Sequence, residues 1–262
     1  MHLPPELAAF APLVALPRRS AFLVDFDGSL APIVDDPVDA RPLARSVAAL
    51  SQLAPQLACA AVVSGRPVAF LAEHLDVATL SLVGLYGLER IVDGEYRRDP
   101  RAVPYVEAMT AAADALDDLL PDVLVERKSD LAVAVHWRRA PERGEEAAAA
   151  VLEVSAEHGL AEPMRGRMAM ELRLPVEVDK GTVASELVAG LHAAAFAGDD
   201  EGDVAAFAEL ARLQRSGALA VGVSVGVESP EAPAGVLAAD VLVAGPDGLA
   251  ALLESLTEAI GG

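Results

Sequence analysis

The sequence predicts an α/β fold built on a doubly wound parallel sheet, with a smaller α+β unit inserted into it. Three observations carry that expectation. Short continuous apolar runs end in polar or glycine residues, as in "SAFLVDF" (20–26) and "LACAAVVSG" (57–65), the pattern of strands buried on both faces. Helically spaced segments alternate with these runs, which is the signature of βαβ units. The alternation breaks once, over roughly residues 104–176, and then resumes.

Taken in order, "PLARSVAALSQLAPQ" places Leu43, Val47, Leu50 and Leu53 on one helical face between the first two strands. "VAFLAEHL" reads as a helix before a third strand in "LSLVGLYG" (80–87), and "GEYRRDP" (94–100) as a turn-rich linker or hairpin edge. The insert then reads helix (103–120), strand pair (124–139), helix (142–159) and strand (167–174). In the pair, Leu131, Val133 and Val135 alternate with Ala132, Ala134 and His136. The core rhythm returns as a helix (179–191), a strand ending in acid (193–200) and a helix (203–214). Two strands (217–226 and 240–245) and a final helix (246–260) complete it. The expected domains are therefore 1–103 with 177–262, a discontinuous core, and 104–176, the insert.

Composition narrows the function. The 262 residues suit one large domain or a core with a smaller one, and the 53% hydrophobic content is ample for a core. Aromatics are only 4%, so small side chains and helix formers must supply much of the packing. A formal charge of −20 repels nucleic acid and anionic lipid, and would also repel a phosphorylated substrate unless a few cations or a metal reverse the sign locally. Cys59 is the only cysteine, which excludes an intramolecular disulfide and a cysteine-based zinc site. The N-terminal stretch lacks a basic region before its apolar residues and is broken by prolines, and no run is long enough to span a bilayer. A cytoplasmic monomer without membrane or nucleic-acid partners is expected.

Ligands of open parallel sheets bind outside the carboxyl ends of the strands. Four polar clusters fall at such ends or at helix starts: Asp25/Asp27/Gly28/Ser29, Ser64/Gly65/Arg66, Asp179/Lys180/Gly181, and Gly198/Asp199/Asp200 with Asp203. Singly, each has a plain structural reading as a turn, a helix cap or a solvated charge. Together, in this order, they match the needs of phosphoryl transfer. A carboxylate attacks phosphorus, a second carboxyl one residue away protonates the leaving alkoxide, and a lysine and a serine hydroxyl hold the phosphate. A Mg²⁺ on carboxylates offsets the charge. Asp25 and Asp27 are alternate residues past a strand, so both side chains point the same way.

"DFDGSL", "SGR", "DKG" and "GDDEGD" resemble the four signature motifs of the haloacid dehalogenase superfamily of aspartyl phosphatases, whose C2-type cap domains sit between the second and third motifs. The resemblance implies a Rossmann-like core carrying a cap. "VERKSDLAVAVHWR", "GRMAMELRLPVEVDKG" and "GLYGLE" further resemble the trehalose-6-phosphate phosphatases. It implies Asp25 as nucleophile and Asp27 as acid and then base, Ser64 with Gly65 and Lys180 as phosphate-binding, and Mg²⁺ on Asp25, the Asp27 carbonyl and Asp199. Asp200 and Asp203 would support the metal. Arg66, Glu126, Lys128, Arg138, Arg167 and Glu171 would bind the sugar of a small sugar-phosphate substrate. The sequence departs from that family at Tyr86, where histidine is usual, at Ser29 for threonine, and at Val204 after Asp203, where an acid is often found. His136 reads as a structural residue. Alternatives in the same chemistry are phosphatases of sucrose phosphate or mannosyl-glycerate phosphate. A non-catalytic sugar-phosphate sensor and a D-x-D glycosyltransferase are the alternatives outside it.

Overall fold

A computed structural model describes residues 4–34, 36–166, 168–230 and 232–261. The chain divides into two compact units, Met1–Arg97 with Val178–Gly262, and Arg98–Glu177.

In the first unit, a 3-10 turn (Pro5–Phe10) and α1 (Ala11–Ala15) precede β1 (Ser20–Val24), α2 (Ala44–Leu53), β2 (Cys59–Val63), α3 (Val68–His74) and β3 (Ser81–Gly84). A hairpin of β4 (Glu89–Val92) and β5 (Glu95–Arg98) follows; β5 lies in the segment read as a linker or hairpin edge, and β4, just before it, was not read from sequence. Arg98, at the end of β5, belongs with the second unit, where its guanidinium contacts Asp130 at 2.7 Å.

The second unit comprises α4 (Val106–Leu119), β6 (Leu124–Ser129), β7 (Ala132–His136), α5 (Gly144–Glu157), β8 (Ala161–Gly166) and β9 (Ala169–Arg173). Its sheet runs β6-β7-β9-β8, and each neighbouring pair is antiparallel. β8 escapes sequence reading because Pro163 and Gly166 weaken the strand signal; it is an edge strand, where proline is tolerated. Helices α4 and α5 pack on this sheet. Glu126, Ala134 and Glu171 stand in register across β6, β7 and β9, and so share one face.

The first unit resumes with α6 (Lys180–Leu187), β10 (Ala193–Gly198), α7 (Glu201–Ser216), β11 (Val221–Val227), α8 (Ala234–Leu237), β12 (Val241–Val243) and α9 (Gly245–Gly261). Its eight-stranded sheet runs β12-β11-β10-β1-β2-β3-β4-β5, parallel from β12 to β3 and antiparallel at β3/β4. Strand alternation splits the core into two layers. Phe22, Val24, Ala60, Val62, Ala195 and Ala197 pack with Leu50, Leu71, Leu253 and Leu256 on one face. Ala21, Leu23, Ala61, Val63, Ala194 and Phe196 pack with Val183, Phe207 and Leu210 on the other. Each fully buried leucine or phenylalanine contributes about 1.5–3 kcal/mol through the area it removes from water. The alanines let α6, α7, α2 and α9 approach the sheet closely. Among the described residues, no helix is long and apolar enough to cross a membrane.

Candidate active site

The chain leaves β1 toward β2 on one side and returns to β10 on the other. That reversal is the topological switch point, where a doubly wound sheet opens a crevice at the strand ends. Asp25 follows β1 there, its N–H donating to the Ala197 carbonyl at 2.9 Å. Ser64 follows β2, Lys180 opens α6 and Asp199 follows β10, so these four clusters converge as the sequence predicts.

The centre of the site is an ammonium among carboxylates. Lys180 Nζ, with its side chain 2% exposed, lies 2.8 Å from Asp25 Oδ1, 2.7 Å from Asp203 Oδ1 and 3.7 Å from Asp200 Oδ1. Burial alone would lower the lysine pKa, but Asp25, Asp203 and Asp200 outweigh it and hold the ammonium well above the ordinary range. Asp25 also moves up, but here burial wins: reinforced by Asp200 and Asp199 and opposed by Lys180, it pushes the carboxyl up to about 7. Asp199 is likewise pushed up to about 7, by burial first and then by Asp203 and Asp200. Positive charge at this rim is therefore in short supply.

Asp203 is structurally committed. Its Oδ2 accepts the N–H groups of Asp199 (2.9 Å) and Asp200 (3.0 Å), and its Oδ1 takes Lys180. Asp200 Oδ1 accepts the Asp203 N–H in return at 3.1 Å, closing a capping box at the start of α7. Ligand oxygens of Asp25, Asp199 and Asp203 lie within 4.8 Å of one another. An all-oxygen set with uncompensated charge fits a hard divalent cation. Asp179 caps α6 through the Thr182 N–H at 2.7 Å.

The first cluster divides its labour. Ser29 Oγ donates to Asp199 Oδ1 at 3.2 Å. Gly28 has φ +78°, and a Cβ there would overlap the Asp199 carboxylate. Asp27 turns to Arg66, whose Nε and Nη2 donate to its two oxygens at 2.7 Å each. Sequence reasoning assigned Arg66 to the sugar; no spacing rule showed that it would fork onto Asp27. Arg66 Cζ also lies 4.5 Å from the centre of the Phe70 ring.

The Ser64–Arg66 loop is clamped from outside. Leu85 N–H donates to the Arg66 carbonyl and Tyr86 N–H to the Ser64 carbonyl, both at 3.0 Å. Leu85 and Tyr86 do so in left-handed conformations, φ 48° and 57°, costly for bulky residues. The Tyr86 ring fills the space a Cβ on Gly65 would need, at 2.7 Å. Buried Glu89 accepts the Val68 N–H at 3.2 Å and holds the start of α3. These clamps were not read from sequence, although "GLYGLE" marks their place.

The predicted sugar-binding residues Glu126, Lys128, Arg138 and Glu171 lie in the second unit. Lys128 Nζ meets Glu171 Oε2 at 2.5 Å, and Glu126 Oε2 contacts His136 Nε2 at 2.8 Å. That contact gives His136 the structural partner expected of it. Arg138 is exposed just past β7, and Arg167 lies outside the described residues.

A parallel core with an inserted α+β unit and acidic rim is the architecture of haloacid dehalogenase-like proteins. A haloacid dehalogenase-like hydrolase from Bacteroides thetaiotaomicron shares the fold, with TM-score 0.60 and 17% identity over 90% of this chain and 98% of that one. Residues 23–234 match the family model for trehalose-phosphatase, and the chain belongs to that family. It is 34% identical over 201 residues to the trehalose-phosphate phosphatase of Mycobacterium avium, covering 72% of this chain and 51% of that protein. It is 36% identical over 172 residues to that of Mycobacterium marinum, covering 64% and 43%. The chain thus spans about half the length of the curated relatives it matches. The Aspergillus fumigatus trehalose-6-phosphate phosphatase superposes with TM-score 0.62 at 26% identity, over 95% of this chain and 97% of that one.

Proposed function

We propose that this chain is a Mg²⁺-dependent phosphatase that hydrolyses trehalose 6-phosphate to trehalose and phosphate through an aspartyl-phosphate. The observation that carries the reading is the buried Asp25–Lys180 contact at 2.8 Å within a carboxylate rim at the switch point. Family membership supports the substrate class. Asp25, the Asp27 carbonyl and Asp199 would hold the ion, with Asp200 and Asp203 behind them. When bound, the ion would supply positive charge that offsets the charge of the attacking carboxylate and of the phosphoryl group.

The residues do the rest. An Asp25 oxygen attacks phosphorus in line, and the bond from phosphorus to the sugar oxygen breaks. Asp27 gives its proton to that oxygen, releasing trehalose. It then takes a proton from water as the water attacks the aspartyl-phosphate, which frees phosphate and restores Asp25. Lys180 has three donors and places two on Asp25 and Asp203, which leaves capacity for a phosphate oxygen. Ser64 Oγ accepts the Arg66 N–H at 3.1 Å, so its own proton remains to donate to another. Glu126, Lys128, Arg138, Arg167 and Glu171 are proposed for the sugar hydroxyls.

The test is Mg²⁺-dependent phosphate release from trehalose 6-phosphate, sucrose 6-phosphate and glucose 6-phosphate. Release from the first should exceed the others by well over tenfold, and comparable rates refute the substrate assignment. Asp25→Asn should abolish turnover with the fold intact. Substantial residual activity in that variant refutes covalent catalysis at Asp25.

A further inference from the structure

Asp27 and Arg66 form an ion pair that the proposed reaction does not need in the form observed. The guanidinium fork occupies both carboxylate oxygens at 2.7 Å each. A carboxyl group that must deliver a proton to a leaving oxygen cannot do so while both its oxygens are held this way. The pair is also reachable, with side chains 16% and 34% exposed for Arg66 and Asp27. Arg66 lies two residues beyond Ser64, the proposed phosphate donor, so an anion seated on Ser64 arrives beside the guanidinium.

The surroundings fix the backbone of Arg66 and leave its side chain a defined track. Its N–H is on Ser64 Oγ (3.1 Å) and its carbonyl accepts the Leu85 N–H (3.0 Å). Its Cζ lies over Phe70, which is braced by the edge-on Phe26 ring at 5.6 Å and the stacked His74 ring at 4.4 Å. A planar guanidinium can slide over an aromatic face without losing the contact. Its fork fits phosphoryl oxygens as well as a carboxylate, and a phosphate dianion carries twice the charge of Asp27.

We propose that Arg66 is a positioning residue: it latches Asp27 in the substrate-free site and passes to the phosphoryl group of the substrate, which frees Asp27 to take up a proton from solvent and give it to the leaving oxygen. The proposal rests on the reading of Asp27 as the acid. Arrival of the anion and release of the acid are thereby one event, and Asp27 is withheld while the site is empty.

Calorimetric titration with inorganic phosphate, in Mg²⁺, tests this as a double-mutant cycle. In the parent, phosphate must displace Asp27 from Arg66. Asp27→Asn removes that competition and should tighten phosphate binding by about tenfold. In an Arg66→Met background the same change should tighten it by less than about twofold beyond the loss of one repulsive charge. Asp27→Ser in both backgrounds repeats the cycle, should asparagine keep a hydrogen bond to the guanidinium. Arg66→Lys supplies the charge without the fork, in case Arg66→Met does not fold. Equal tightening in both backgrounds, or none in either, overturns the latch. The readout is binding, so it stands apart from turnover. An enzyme that shows the coupling yet hydrolyses no phosphate ester overturns the proposed function and the acid role of Asp27, and leaves only the exchange of Arg66 between Asp27 and the anion.

Discussion

Lys180→Met removes the ammonium facing Asp25, Asp203 and Asp200 and keeps most of the side-chain volume. The two closest partners have side chains 4% and 0% exposed, so water cannot replace the lost charge. Breaking a buried pair by deleting one partner costs about 3–5 kcal/mol. The structure bounds this independently. A stranded carboxylate escapes by taking up a proton, and holding a group of reference pKa 3.8 neutral at pH 7 costs about 4 kcal/mol at 1.36 kcal/mol per unit. Burial already raises Asp25 to about 7 and Asp203 well above the ordinary carboxylate range, so part of this cost is already present in the parent and about 4 kcal/mol is the upper limit. The sign with pH follows. The unfolded carboxyl group is itself increasingly protonated as pH falls toward 3.8, so the loss shrinks to about 1 kcal/mol at pH 4.5. Urea unfolding followed by far-UV circular dichroism in EDTA measures it. Trp137, the only tryptophan, lies in the second unit and reports that unit separately by fluorescence. A variant as stable as the parent at pH 7, or equally destabilised at both pH values, refutes the reasoning.

Gly28→Ala should cost about 1–2 kcal/mol in stability from its left-handed backbone, and about 100-fold or more in kcat by displacing Asp199; unchanged phosphate release would contradict this. Burial pushes the Cys59 thiol up to about 11, so at pH 8 about one native molecule in a thousand carries a thiolate. Its reaction with a disulfide reagent should therefore be more than about 100-fold slower in native protein than in urea. Glu89→Ala strands the buried Val68 N–H and should destabilise by about 1–3 kcal/mol, whereas Glu89→Gln, which keeps an acceptor, should stay within about 1 kcal/mol of the parent in the same urea titration.

The parts of the site written in the chain's periodicity were legible. Asp25, Ser64, Lys180 and Asp199 each follow an apolar strand or open a helix, and a parallel sheet brings such ends together whatever the loops do. The commitments of individual charges were not. Spacing shows that Arg66 is near the rim but not which of several anions its fork selects. It shows four acids where β10 meets α7, Asp199, Asp200, Glu201 and Asp203, but not that Asp203 spends both oxygens on amides and Lys180. Leu85 and Tyr86 were opaque for another reason: bulky residues predict against positive φ, so their clamp on the Ser64 loop contradicts local preference and is sustained only by tertiary contacts. In the second unit, Pro163 hid an edge strand that the neighbouring β9 stabilises.

Phe70 belongs to the apolar layer beneath the sheet and also to the track on which Arg66 rests. A change there cannot be confined to packing. Phe70→Leu keeps an oily residue and most of the buried area, yet removes the flat, electron-rich floor under the guanidinium. Its mark should fall on turnover and anion affinity more than on melting temperature. This position therefore answers to the chemistry of the rim through Arg66, and tolerance to substitution measured by folding alone would misjudge it.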